Sequence, residues 1–232
     1  MLMQKKIVEM FDSIAPKYDI ANRILSLGID IKWRKEAIEE TVKDIDKNNI
    51  RILDVACGTG DMIGIWQKTI KNKTLKICGL DPSKGMLEVA KKRFPQITFY
   101  NAYATEIPCE DSSFDVISIS FGIRNVLEIE KALNEFNRIL DKNGRLLILE
   151  FVRDNKNKKL RKCIDFYTNK FLPKIGGIIT KNKEAYEYLP KSIENFYTVE
   201  ELSNLLKKAG FEIKKVKLFN FSQVAMIIAQ KI

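Results

Sequence analysis

R-I-L-D-V-A-C-G-T-G-D, residues Arg51 to Asp61, is the stretch on which the fold turns. Arg51 to Ala56 is a short apolar run, long enough for a parallel strand buried on both faces. Gly58 and Gly60 break it. Beyond Asp61 the spacing becomes helical, with Met62, Ile65 and Trp66 apolar and Lys68 and Lys71 polar. Strand, glycine turn and helix in that order let a ligand lie against bare backbone, beside the free N–H groups of a helix N-terminus. Asp54 falls at the carboxyl end of the strand, where open α/β sheets bind ligands.

The dinucleotide fingerprint requires a third glycine three residues after the second, and Ile63 stands there instead. The pattern present, D-x-x-x-G-x-G followed by an acid, resembles motif I of the class I S-adenosylmethionine methyltransferases. That ligand carries a sulfonium and an ammonium and no phosphate. Asp54 and Asp61 suit a cation and would repel a pyrophosphate. A lone G-x-G is equally a tight turn with no ligand, so the rest of the chain has to decide.

With 232 residues, 45% of them hydrophobic, the chain can bury one sizeable α/β core with appendages. The net charge of +10 points weakly to an anionic partner surface. The four cysteines form no C-x-x-C pair, which signals neither a zinc ribbon nor a redox dithiol. There is no histidine, which removes Ser-His and Cys-His nucleophile pairs and every histidine metal site. No metal is expected. No run approaches the ~20 apolar residues of a membrane span. A cytoplasmic protein is expected, with peripheral contact at the inner face of the membrane left open.

Ile7, Met10, Phe11 and Ile14 recur at helical spacing, and Pro16 interrupts. Ile20, Ile24 and Leu27 then share one helical face, and Trp33 to Lys43 reads as a further amphipathic helix. Further strands are expected at 75–80, 97–100, 114–121 and 145–152. Asp81 follows the second of the five strands at about 20 residues beyond the glycine turn, where an acid can accept from both ribose hydroxyls. Ser83 reads as a helix N-cap, with Met86 in the first turns, either a core residue or, near Asp81, one that packs on an adenine. A helix over 129–140 is expected to end in a turn at Asn143-Gly144. Thr198 and Glu201 form a capping box, Gly210 ends that helix, and strands at 211–219 and 224–230 close the chain. Strands alternating with helices imply a doubly wound, mainly parallel sheet. Lys156, Lys158, Lys159, Arg161 and Lys162 form a basic cluster, read either as a solvated helix or as a face for anionic lipid.

Several stretches together resemble the UbiE/MenG-type quinone C-methyltransferases. They are F-D-S-I-A-P-K-Y-D (Phe11 to Asp19), N-R-I-L-S-L-G-I (Asn22 to Ile29) with Trp33, the glycine stretch, S-I-S-F-G-I-R-N-V (Ser118 to Val126), G-R-L-L-I-L-E-F (Gly144 to Phe151) and Y-E-Y-L-P-K-S-I (Tyr186 to Ile193). The F-G-I-R-N and Y-x-Y-L-x-x-S-I stretches are the most specific. The chain departs from the pattern at Asp30, where the family usually has histidine, at Cys57, at Asp141 to Asn143 and at Tyr103.

The resemblance implies an α/β fold with a seven-stranded class I methyltransferase sheet in a single domain. An N-terminal helical lid would occupy 1–48, the cofactor core 49–152, a helical substrate- or membrane-facing insert 153–196 and a C-terminal helix and hairpin 197–232. It implies S-adenosylmethionine as methyl donor, held by Asp54, Gly58, Thr59, Gly60, Asp81, Met86, Tyr103, Ala104 and Ser120. The acceptor would be a polyprenylated hydroquinone, with Arg124, Asn125 and Tyr18 as its catalytic residues, and a homodimer is compatible. Arg124 would stabilise a developing phenolate, since its planar fork suits an oxygen anion, unless it forms a salt bridge with Glu128 one turn on. The ring proton would leave to a water, to Asp19 or to Asp61. Leu25, Leu27, Phe171, Leu172, Ile175 and Ile178 are candidates to line a channel for the tail. No nucleic acid is expected, because S-F-G-I stands where N6-adenine enzymes carry N-P-P-Y. Other readings are a methyltransferase for another small molecule or RNA, and a non-catalytic module binding the cofactor or lipid.

Overall fold

In a computed structural model that describes residues 2–153, 183–219 and 223–232, the apolar run forms β1 (Asn49–Val55). Ile50 and Ile52 face one core and Leu53 and Val55 the other. The same alternation runs through β4 (Phe114–Ser120) and β5 (Leu140–Phe151), so these strands are covered on both faces. With β2 (Thr74–Leu80), β3 (Thr98–Tyr100), β6 (Phe211–Phe219) and β7 (Val224–Lys231) they form a seven-stranded sheet in the order β3-β2-β1-β4-β5-β7-β6. β1 to β5 pair in parallel, and β7 runs antiparallel to both β5 and β6. This is the α/β doubly wound sheet expected of a class I methyltransferase.

Helices α3 (Ile29–Val42) and α4 (Asp61–Thr69) cover one face, through Trp33, Ala37, Ile38, Met62, Ile63 and Trp66. α6 (Ile129–Ile139) covers the other with Ala132, Leu133 and Phe136. Between them in sequence lies α5 (Lys84–Arg93), capped by Ser83, whose side chain accepts from the Met86 N–H. α1 (Leu2–Ile14), a 3-10 turn at Ala15–Lys17 that contains Pro16, and α2 (Tyr18–Ser26) precede α3. Beyond β5 come α7 (Lys183–Glu194) and α8 (Val199–Lys208), the latter with the Thr198–Glu201 capping box.

One expected turn is different. Asn143-Gly144 does not separate α6 from a strand beginning at Arg145. β5 begins at Leu140, and the register jumps from Phe114↔Leu140 to Val116↔Arg145. Asn143, at φ +62°, bulges out of a strand that keeps its pairing on either side. The α2 side that carries Ile20 and Ile24 points to solvent, and Leu27, which the spacing places on the same face, lies just past the helix in left-handed backbone at φ +52° and is exposed as well. The basic cluster at 156–162, most of the insert expected at 153–196, the Phe171 to Ile178 channel residues and part of the final hairpin loop lie outside the described residues, as does the side chain of Leu25. Among the described residues no helix is long and apolar enough to cross a membrane.

Candidate active site

The strand order reverses between β1 and β4, and the crevice this opens at their carboxyl ends is where doubly wound sheets bind ligands. Here it is a cavity of about 500 Å³, within the range of nucleoside-sized ligands. Both strands end in left-handed backbone at a residue other than glycine, Ala56 (φ +51°) and Phe121 (φ +57°). Such conformations are rare and cluster at functional sites. Gly122 is required between them: a Cβ there would sit 2.5 Å from that of Ala56.

Asp54, Gly58, Thr59, Asp81, Met86, Tyr103, Ala104 and Ser120 all line the cavity, as do Tyr18 and Asn125. Gly60 and Arg124 do not. Gly60 precedes α4 at φ +85°, and a Cβ there would strike the Phe94 ring at 2.8 Å, so its part is to shape the turn. The expectation that Arg124 faces the acceptor meets a different geometry. Its guanidinium is buried and donates to Glu150 Oε1, to the Phe121 carbonyl and to Ser192 Oγ. The partner is not Glu128. Glu150 is fully buried at the end of β5, a position that spacing along the chain does not mark as an ion pair.

Asp54 is buried at the floor of the crevice. Trp66 Nε1 donates to Ser118 Oγ, and Ser118 Oγ donates to Asp54 Oδ1 at 2.7 Å. Asp54 Oδ2 is buried without a partner among the described residues. Burial drives the carboxyl up to about 7, against the pull of Ser118 and Arg34. Asp81 is raised to about 6 by burial, although Ser83 and Gly58 backbone N–H groups donate to its two oxygens at 2.8 Å. These acids fit S-adenosylmethionine: the orphan oxygen of Asp54 can take its ammonium, and the Asp81 oxygens can accept from ribose hydroxyls. Asp61 plays another part. Arg23, Arg34 and Arg93 all donate to it, so its charge is taken up by the protein.

That arginine cluster seats α2 and α3 on the glycine turn. Asp19 accepts from Thr59 Oγ1 and Arg93, while Asp30 accepts from Arg23, Arg34 and Ser26. Asp30, the departure from the histidine of the resembled pattern, is thus a buried counter-ion for two arginines. Arg34 also donates to Ser120 Oγ. Of the proton acceptors suggested by the sequence, the two carboxylates, Asp19 and Asp61, are held by cations.

α1 forms the roof. Asp12 Oδ1 accepts from Ser83 Oγ at 2.6 Å and from Gly85 N–H at 2.8 Å, while Gln4 bonds the Asn125 carbonyl and the Leu127 N–H. Eight residues of helix separate Asp12 from Gln4, roughly 12 Å, so one helix spans the cavity from the Asp81 side to the Asn125 side. Neither residue was legible as a site residue, because each acts through partners some 70 or more positions away. Asp12→Ala is expected to cost about 1.5–3 kcal/mol in urea unfolding, the usual worth of a charged hydrogen bond. S-adenosylhomocysteine should also leave several-fold faster in stopped flow. Unchanged dissociation would show that the roof is not held there.

Comparison with known proteins places the chain in one family and one fold. A model of the ubiE/COQ5 methyltransferase family matches residues 1–231. The chain is 52% identical, over the full length of both, to the ubiquinone/menaquinone biosynthesis C-methyltransferase UbiE of Campylobacter jejuni strain 81-176. It is 38% identical to the demethylmenaquinone methyltransferase of Thermotoga maritima, covering 99% of this chain and 97% of that one. Among solved structures, a SAM-dependent methyltransferase from Thermotoga maritima superposes with a TM-score of 0.64 at 21% identity, covering 97% of this chain and 99% of that chain. The CurJ carbon methyltransferase gives 0.67 at 13% identity, covering 93% and 58%. These two show the fold.

Proposed function

The chain belongs to the ubiE/COQ5 methyltransferase family, and from that premise we propose that it methylates a ring carbon of demethylmenaquinol to give menaquinol. A polyprenyl methoxy-benzoquinol of ubiquinone biosynthesis is a second acceptor of the same chemistry. The observation that carries this reading is one cavity lined both by Asp54, with its orphan oxygen, and by Tyr18 and Asn125.

S-adenosylmethionine supplies the methyl group as an electrophile on a cationic sulfur. Asp54 and Asp81 hold and orient the donor. Tyr18 and Asn125 orient the acceptor, which must be the hydroquinone, because a quinone ring is itself electrophilic. The ring carbon gains the methyl group and its hydrogen departs as a proton. Water is the acceptor of that proton, since Asp19 and Asp61 are held in ion pairs. Arg124 contributes indirectly, by holding the turn that carries Asn125. Alignment supplies much of the acceleration for a donor that is already activated.

Purified protein should transfer label from S-adenosylmethionine to chemically reduced demethylmenaquinone. A ubiquinol precursor and bulk tRNA run in parallel resolve the alternatives. Label in menaquinone alone assigns that branch and label in both quinols a dual-pathway enzyme. Label confined to tRNA, or none with the donor still bound, overturns the reading.

A polyprenyl tail makes the bilayer the acceptor's reservoir. The outward face of α2 supports contact there. Ile20, Ile24 and Leu27 are 59%, 48% and 91% exposed, and Lys17, Lys32 and Lys35, near them along the chain, are exposed as well. Exposed aliphatic residues with lysines in the same segment suit an anionic interface. Ile20→Glu with Ile24→Glu is expected to weaken binding to phosphatidylglycerol vesicles at least about tenfold, given the apolar area removed. Methylation of a tail-less quinol should persist. Undiminished vesicle binding would sink the membrane contact, and self-association through this face without vesicle binding would make it a homodimer surface.

A further inference from the structure

Two stretches 63 to 68 residues apart meet around Asn125, which lines the cavity. The 3-10 turn Ile123–Asn125 carries Arg124 and Asn125, and α7 carries Tyr188 and Ser192 one turn apart. Tyr188 Oη donates to Asn125 Oδ1 at 3.1 Å, and Arg124 Nε donates to Ser192 Oγ at 3.2 Å. Behind them Glu150 accepts from the Arg124 guanidinium and, at 3.4 Å, from its backbone N–H. Gln4 holds the Asn125 carbonyl from the roof.

The Tyr188 bond has a chemical consequence. An asparagine amide presents either an acceptor or two donors to a neighbour, and a half-turn exchanges them. With Oδ1 taken by the Tyr188 hydroxyl, the NH2 group is the other end of the amide. No described residue accepts from it, and Asn125 lines the cavity. We infer that Tyr188 is a positioning residue for the methyl transfer proposed above, on which this inference rests. It locks the Asn125 amide so that its NH2 donates to a ring oxygen of the hydroquinone.

The orientation matters most as the reaction proceeds. A ring hydroxyl in the ground state can bond either end of an amide. Once that oxygen carries negative charge, a donor stabilises it and a carbonyl lone pair repels it. A fixed donor aimed at developing charge lowers the barrier more than it tightens ground-state binding. Glu150 and Ser192 support the same geometry through Arg124.

Tyr188→Phe keeps the ring and removes the lock. It is expected to lower kcat about tenfold or more, toward the roughly 10²–10³ lost with a whole oxyanion donor. The acceptor KM should change far less. The rising limb of the kcat–pH profile should move to higher pH, because the bound hydroxyl loses a bond that favours its ionised form. Calorimetric affinity for S-adenosylhomocysteine and the midpoint of thermal unfolding should hold. In an Asn125→Ser background, Tyr188→Phe should have little further effect, since the two act as one unit. An unchanged kcat, or a fall in kcat with the pH profile unmoved, overturns the inference alone. So does an equal loss in the Asn125→Ser background. Failure of the wild-type chain to methylate either quinol overturns the proposed function and this inference with it.

Discussion

Glu150→Ala should cost about 3–5 kcal/mol of folding stability, the loss typical when one partner of a buried ion pair is removed. That is a large part of the roughly 5–15 kcal/mol that holds an ordinary domain together. Glu150 is fully buried, and burial raises its pKa against the opposing pull of Arg124. Removing the carboxylate strands the guanidinium, which keeps only neutral partners, the Phe121 carbonyl and Ser192. It also frees the N–H groups of Arg124 and Phe151 that Glu150 now accepts. Urea unfolding measures the loss. Replacing both partners, as Arg124→Met with Glu150→Leu, should recover much of it, since apolar residues of similar size often substitute for a buried pair without penalty. The double variant should still turn over quinol, more slowly than the wild type, since the turn that carries Asn125 loses its bonds through the Arg124 side chain, while binding S-adenosylhomocysteine normally. A single variant as stable as the wild type would show that the pair is not what holds the turn.

The second large effect belongs to Asp54. Its carboxyl is raised to about 7 in the ligand-free chain, and pairing with the donor's ammonium requires it ionised. Binding therefore releases a proton, and affinity for S-adenosylmethionine should rise with pH between about 5 and 7, by up to about tenfold for each pH unit, then level off. Asp81, raised to about 6, steepens the lower part of that window. Asp54→Asn should flatten the upper part and weaken binding about ten- to a hundredfold, the worth of a charged hydrogen bond. Calorimetry across pH checks both.

For stability the raised pKa acts with the opposite sign. A carboxyl that holds its proton more tightly folded than unfolded makes the empty protein lose stability as pH rises from about 4 to 7. Asp54→Asn should remove that loss and leave the empty chain about 1–3 kcal/mol more stable at pH 8, a tenfold difference in proton affinity being worth about 1.4 kcal/mol. Weaker binding in a more stable protein separates a functional carboxylate from a structural one. A variant both weaker in binding and less stable would mark Asp54 as structural.

The strands, the glycine turn and the helix caps were legible because each is specified by neighbours. Alternation, apolar runs, Ser83 before α5 and the Thr198–Glu201 pair are patterns within a few residues, and the chain folds as they specify. The placing of Asp54 and Asp81 at the ligand edge was legible too, since it follows from standing at strand ends. The bulge at Asn143 was not, because local turn chemistry was overridden by pairing of β5 on both sides.

Arg124 shows the limit most clearly. Its residue type and its motif stretch were read from the chain, but its partner, Glu150, lies 26 residues away on another strand. Whether a guanidinium faces a cavity or a buried carboxylate depends on which strand ends are neighbours, and only the sheet order decides that. Asp61 is alike: as an acid after a glycine turn it suits a cation, and the cations it meets are Arg23, Arg34 and Arg93, brought from three different helices. The sequence by itself determined the doubly wound sheet, the position of its ligand edge and the acids at the strand ends, because those depend on short-range periodicity and steric rules. The tertiary structure alone decided which charges are spent within the protein and which remain for a ligand. Coulomb energy and desolvation depend on distance and burial in space, and neither quantity is written in spacing along the chain.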